Sequence, residues 1–187
     1  MKIKFIILSI LLIFVTAELH PVNEDIVNEI KRTAKNWTPM EPEENPFTYM
    51  PIEDIKARLG AKVKIGEPNA DDLGIEVPRK FDARHKWGTR KIHGIRDQGD
   101  CGSCWAFSAV GAFSDRLSIA GQNVILSPQH LLDCDKEDLG CNGGFPDSAL
   151  RWMRKNGVAS DKCYPYISGE SGKKDEELGI TLTSSVQ

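Results

Sequence analysis

Apolar residues recur along this chain at helical spacing in several stretches, after an opening run that is apolar throughout. That run, from Phe5 to Val15, follows Lys2 and Lys4 and leads into Val15-Thr16-Ala17, a small-residue cleavage pattern. It is shorter than the roughly 20 apolar residues a membrane-spanning helix needs, so residues 1–17 read as a secretory signal peptide, not an anchor. In VNEDIVNEIKR, Val22, Ile26 and Ile30 predict one helical face. In PIEDIKARLG, Pro51 opens a helix, Ile52, Ile55 and Leu59 align, and Gly60 closes it. A longer helix is predicted from Cys104 to about Ala120, with Trp105, Ala109, Ala112, Phe113 and Leu117 on the buried side and Gly121 as its stop. Ser127 and Pro128 are cap and first turn of another helix, carrying Leu131 and Leu132. A last one runs from Pro146 to Asn156, with Leu150, Trp152 and Met153, and ends at Gly157. From Ser168 the chain turns polar, with neither an amphipathic helix nor paired strands in view.

Composition narrows the class. The 187 residues are 40% hydrophobic and 27% charged, which suits a globular core. A net charge of −3 gives no broad basic surface for nucleic acid. Residues 18–76 contain no cysteine and few apolar anchors, so they read as an extended leader lying on another surface, not as a domain. All five cysteines fall between 101 and 163. An odd count in an exported chain leaves one thiol over, and export permits disulfides among the rest.

The chemistry concentrates in QGDCGSCWAFS, residues 98–108. A thiol attacks as the thiolate, and a helix N-terminus, with unpaired N–H groups and a positive dipole end, favours that anion. Cys104 stands at such a start. Gln98 brings a side-chain NH2 that, with the Cys104 N–H, can form an oxyanion hole; losing one such donor typically costs ~10²–10³ in turnover. Other readings stand beside this one. A thioredoxin-like redox pair has tryptophan before its first cysteine, whereas Trp105 follows the second. Zinc needs two more ligands at finger-like spacing, which Cys134, Cys141 and His130 do not supply. Both cysteines of the motif are also open to a plain structural role in disulfides.

CGSCWAF (101–107), with LLDC (131–134) and GCNGGFP (140–146), resembles the papain family of cysteine proteases over roughly 75–167. Within it, GIRDQG, SDR and VPRKFDARHKW are similar to the cathepsin B branch, as is the short leader. The resemblance implies an α+β papain-like fold, here a helical left lobe at 77–167 behind a propeptide at 18–76, with the β-rich right lobe missing and a divergent polar tail at 168–187. It implies Cys104 as nucleophile through a thioester, and Gln98 with the Cys104 N–H as oxyanion donors. Gly143, Gly144, Phe145, Pro146 and Trp105 would serve substrate binding. It implies a Cys101–Cys141 disulfide; Cys134 and Cys163, whose family partners lie further on, are left to pair with each other. No cofactor or metal is implied. The expected partners are peptide or protein substrates and the chain's own propeptide as inhibitor, in the secretory pathway, lysosomal or extracellular.

The family's catalytic histidine and asparagine follow the nucleophile. His20, His85 and His93 precede Cys104, and His130 sits where the family has no catalytic residue. The chain therefore reads as a cathepsin B-like precursor that is inactive alone. The alternative is a non-catalytic homologue, an inhibitor, decoy or non-functional product.

Overall fold

The computed structural model describes residues 20–63 and 78–171; the signal-peptide reading of 1–17, part of the leader and most of the polar tail lie outside the described residues. The chain divides into two compact units, Met1–Ile52 and Glu53–Gln187.

In the first unit, Asn23 caps α1 (Glu24–Thr33), its side chain accepting from the Ile26 N–H, with acidic residues in the first turn and basic ones in the last, as the helix dipole favours. The buried residue of α1 is Val27, while Ile26 is exposed. The Val22–Ile26–Ile30 stripe is thus rotated from its predicted face. His20 anchors this unit: its two ring nitrogens lie 3.0 Å from the Val22 and Met50 carbonyls.

In the second unit, α2 (Ile52–Ala57) ends before Leu59, which is exposed, and buries none of its residues. After α3 (Ala83–Trp87), capped by Asp82, comes the central helix α4 (Cys104–Ile119). It packs on α5 (Pro128–Cys134) and on α6 (Pro146–Asn156). Two partners require two buried stripes, and α4 buries Trp105, Ala106, Ala109, Val110, Ser114 and Ser118, while the predicted Ala112 is exposed. Ser114 belongs inside because its hydroxyl donates to the Val110 carbonyl and accepts the Leu126 N–H. Leu131, Leu132, Ala149 and Met153 complete the core. Each large side chain so buried contributes about 1.5–3 kcal/mol. On α6 the buried residues are Ser148, Ala149 and Met153, and the predicted Leu150 is exposed.

Among the described residues there is no extended strand, only isolated bridges, Leu126 with Ser160 and Ala61 with Gly144. This is the architecture of a helical lobe. The segment after α6 is fastened by buried polar groups. Gln129, fully buried, accepts from the Ile167 and Ser168 N–H groups and donates to the Ser168 hydroxyl, and the Tyr164 hydroxyl donates to Asp133. Buried and satisfied, these groups fix one path for the chain. They reach as far as Ser168, where the sequence turns polar. Ser168 is buried and begins a short turn of helix, α7 (Ser168–Ser171).

Candidate active site around Cys104

The Cys101–Cys141 disulfide joins the loop before α4 to the glycine turn before α6, 40 residues on. Beside it the Gly102 N–H donates to the Cys141 carbonyl at 3.0 Å. Closing a loop of that length stabilises by about 4 kcal/mol in chain-entropy terms. The structure does not join Cys134 to Cys163. Cys163 lies in an exposed turn, its N–H on the Ser160 carbonyl, and carries a free thiol.

Cys104 opens α4 and is half-buried. Gln98 reaches the same place: its Nε2 donates to the Cys101 carbonyl at 2.7 Å and to the Arg58 carbonyl at 2.8 Å. The Cys104 Sγ lies 4.0 Å from that Arg58 oxygen. The nucleophile candidate and the oxyanion-donor candidate therefore converge on one carbonyl, supplied by the leader. From there the leader continues as an extended segment along the glycine turn. The Gly144 N–H donates to the Gly60 carbonyl at 2.9 Å, the Lys62 N–H to the Gly144 carbonyl at 2.8 Å, and Ala61 bridges Gly144 in the parallel sense. The Arg58 guanidinium pairs with Asp100 at 2.5 Å. A side chain on Gly60 would overlap the Gly102 carbonyl, so only glycine passes there. Gly60 was legible in the sequence only as a helix stop, because its real constraint comes from a loop some forty residues away.

Gly143 and Gly144 thus face an extended peptide with their backbone. Gly143 needs its positive φ of 102°, and a Cβ on Gly144 would come within 2.6 Å of the Trp105 ring. Phe145 and Pro146 follow directly as cap and first turn of α6, with the Phe145 N–H on Asp138 at 2.8 Å. Trp105 is fully buried, its Nε1–H donating to the Gly140 carbonyl at 3.0 Å, and its ring supports the glycine turn at Gly144.

None of His85, His93 and His130 makes a hydrogen bond to Cys104. The His93 Nδ1 lies 2.8 Å from Asp115, and its Nε2 lies 3.4 Å from both the Ser118 hydroxyl and Asn123. His130 accepts the Ala159 N–H at Nδ1, 3.1 Å away, with its ring against Trp152 and Tyr164. Burial pushes its pKa below the ordinary value, against the opposing pull of Asp133. Among the described residues no group of three or more His, Cys, Asp or Glu is placed to hold a metal.

Sequence reasoning missed two residues at this site, Ser103 and Tyr166. The Tyr166 hydroxyl donates to the Gln98 carbonyl at 2.6 Å and lies 2.8 Å from the Ser103 hydroxyl. The CYPY stretch was visible, but its contact spans 68 residues.

A family model described as papain family cysteine protease matches residues 77–185, past the limit of 167 that the motifs drew. The chain is similar to cathepsin B-like CP2 of Giardia intestinalis, 36% identical over 140 residues, covering 73% of this chain and 45% of that protein. It is similar to cathepsin B of Dictyostelium discoideum, 32% identical over 170 residues, covering 89% and 55%. Among solved structures it is similar to procathepsin B S9 from Trypanosoma congolense, with TM-score 0.65 and 28% identity, covering 81% of this chain and 56% of that one. The chain spans about half the length of the curated relatives it matches.

Proposed function

Because the chain belongs to the papain family of cysteine proteases, in its cathepsin B-like branch, we propose that it is the nucleophile-bearing part of a peptidase zymogen whose leader covers its own cleft. The observation that carries this reading is the Arg58 carbonyl. It takes a Gln98 amide proton and stands at Cys104, where the carbonyl of a substrate would stand. In the reaction, the Cys104 thiolate adds to the carbonyl carbon. The oxygen takes the charge and is held by the Gln98 NH2 and the Cys104 N–H. Collapse breaks the C–N bond once the leaving nitrogen has taken a proton from the histidine that the family places after the nucleophile, and leaves a thioester that water hydrolyses. Gly143 and Gly144 hold the peptide by its backbone, and Phe145 and Pro146 border the side chain beside the cut.

The leader uses the same glycine backbone. Its carbonyl is held 4.0 Å from sulfur through the oxygen, with Gly60 wedged behind it, so it binds without being attacked. The signal-peptide reading of residues 1–17 and an exported, lysosomal or extracellular location belong to this proposal. With no histidine of the second unit at Cys104, the chain alone has a nucleophile without a proton acceptor.

Mixing the purified chain with p-nitrophenyl acetate tests the proposal. In a Cys163→Ser background, which removes the exposed free thiol, the expected result is a nitrophenol burst of no more than one equivalent, abolished by Cys104→Ser, with no sustained peptide hydrolysis. A burst that survives Cys104→Ser would overturn it.

A further inference from the structure

Two carboxylic acids are buried in the loop between α5 and the glycine turn. Asp135, the C-cap of α5, is 1% exposed, and Asp138 is 4% exposed. Each gives one oxygen to a backbone N–H: Asp135 Oδ1 accepts from Glu137 at 3.0 Å, and Asp138 Oδ1 from Phe145 at 2.8 Å. The Oδ2 of each is buried with no hydrogen-bond partner. The two carboxyl groups stand within hydrogen-bonding reach of each other.

The charged groups around them are engaged elsewhere. On α5, Asp133 takes the Tyr164 hydroxyl and the Gln129 amide. In the loop, Lys136 gives its ammonium to the Asp133 carbonyl, and the exposed Glu137 takes the Ser148 hydroxyl. On α6, Arg151 pairs with Asp147 at 2.7 Å. From α4, the uncharged Trp105 ring meets the same glycine turn. Two buried carboxylates in contact, with no cation paired to either, are costly when both are charged. One proton between the spare oxygens removes that cost and turns two unmatched acceptors into a bond. Burial raises the Asp135 pKa above its ordinary value, against the pull of the Glu137 N–H, and the Asp138 charge and hydrogen bond add to the rise. The pair also lies against the peptide-binding turn. A Cβ on Gly144 would come within 2.8 Å of the Asp138 side chain, and the N–H that Asp138 holds is that of the next residue, Phe145.

We propose that Asp135 and Asp138 share one proton in acid and that this pair is a positioning device for the glycine turn, whose hold on an extended peptide tightens as the pH falls. This deepens the proposed function and rests on the turn being the seat of the peptide. The folded chain binds the proton more tightly than the unfolded one. The contribution is therefore complete below the ordinary value of 3.8 and is lost as the pH rises through the raised value.

The test is amide hydrogen exchange of the full chain, read by NMR at pH 4.5 and pH 7.5 in the parent and in Asp135→Asn. The new amide donates to Asp138 at every pH, while its carbonyl keeps the Glu137 N–H. The Phe145 N–H reports the pair, and the Gly144 N–H, which holds the leader's Gly60 carbonyl, reports the peptide. The Val110 N–H, in the core of α4, reports global opening. At pH 4.5 the two proteins should protect Phe145 and Gly144 equally, within about twofold. At pH 7.5 Asp135→Asn should protect both at least about fivefold better, with Val110 unchanged. If Asp135→Asn does not fold, Asp138→Asn supplies the same donor from the other side and carries the same expectation. Equal protection at both pH values overturns the shared proton. So does a parent that loses protection toward acid relative to Asp135→Asn, the sign that a bridging cation would give. A change at Val110 as large as that at Phe145 overturns the positioning role. If Gly144 is unprotected at both pH values while Phe145 behaves as expected, the proposed function fails and the positioning role with it, while the shared proton stands.

Discussion

The two ends of α4 hold contrasting chemistry. At the far end a serine, a histidine and a carboxylate lie in hydrogen-bonding order, Ser118 to His93 to Asp115. At the near end Cys104 has no histidine at all. By inventory the far end is the more complete hydrolytic site. By physics it is none. Ser118 is 1% exposed, so no substrate carbonyl reaches it, and a helix C-terminus presents carbonyl oxygens that repel a developing oxyanion. The near end has a half-buried thiol, a helix N-terminus, a side-chain amide donor and a glycine turn that takes a peptide backbone. Access and the placing of N–H donors, not the list of residues, separate a site from a structural network.

Experiments that break either end should separate in their readouts. The largest effect belongs to the disulfide that fixes the near end. Cys101→Ser should cost about 4 kcal/mol of stability in urea unfolding, since the loop it closes is long, and should slow Cys104 alkylation as the loop loosens. An unchanged unfolding midpoint would contradict the assignment.

At the far end, His93→Ala removes the ring that joins the loop before α4 to Asp115. It should cost about 1 kcal/mol, since the half-buried Asp115 and the buried Ser118 hydroxyl each lose one partner while Asp115 keeps the His93 backbone N–H. Cys104 alkylation should stay the same, and a fluorophosphonate should label neither the parent nor the variant at Ser118. Labelling of Ser118 would overturn the comparison.

The smallest effect is a pH dependence away from both ends. His130 accepts the Ala159 N–H, which a charged ring cannot do. Its folded-state pKa is depressed below 6.5, so the unfolded chain binds the proton more readily. The stability it supports is complete above pH 6.5, falls as the pH drops through that value, and levels off once the folded group is itself charged. Comparing the parent with His130→Gln by denaturant unfolding at pH 7.5 and pH 5, the parent's advantage should shrink at the lower pH. A constant difference would show that His130 does not titrate in this way.

What the sequence revealed follows the range of the interactions. Local signals located α5 by Ser127 and Pro128, α6 between Pro146 and Gly157, and α4 from Cys104. Their faces were harder to read. Ala112 and Leu150 look like core by spacing, but α4 lies between two partners and α6 buries small residues against it. Polar letters were undervalued: Ser114, Gln129 and Ser168 are inside because each finds its bonds at a distance. At the site, motif spacing pointed to Cys104, Gln98 and the glycine pair. The Arg58 carbonyl, the Gly60 passage and the Tyr166–Ser103 bond come only from chain segments folded together.

The most direct test of the central claim, a nucleophile at Cys104 shut in by the leader's passage at Gly60, is labelling by a peptidyl acyloxymethyl ketone, mapped to individual cysteines. The account predicts slow labelling in the parent chain, at least about tenfold faster labelling of Cys104 in Gly60→Ala, where the added methyl overlaps the Gly102 carbonyl, and no labelling of Cys163 in either. Equal labelling of Cys104 in the parent and in Gly60→Ala, or labelling that favours Cys163, would contradict it.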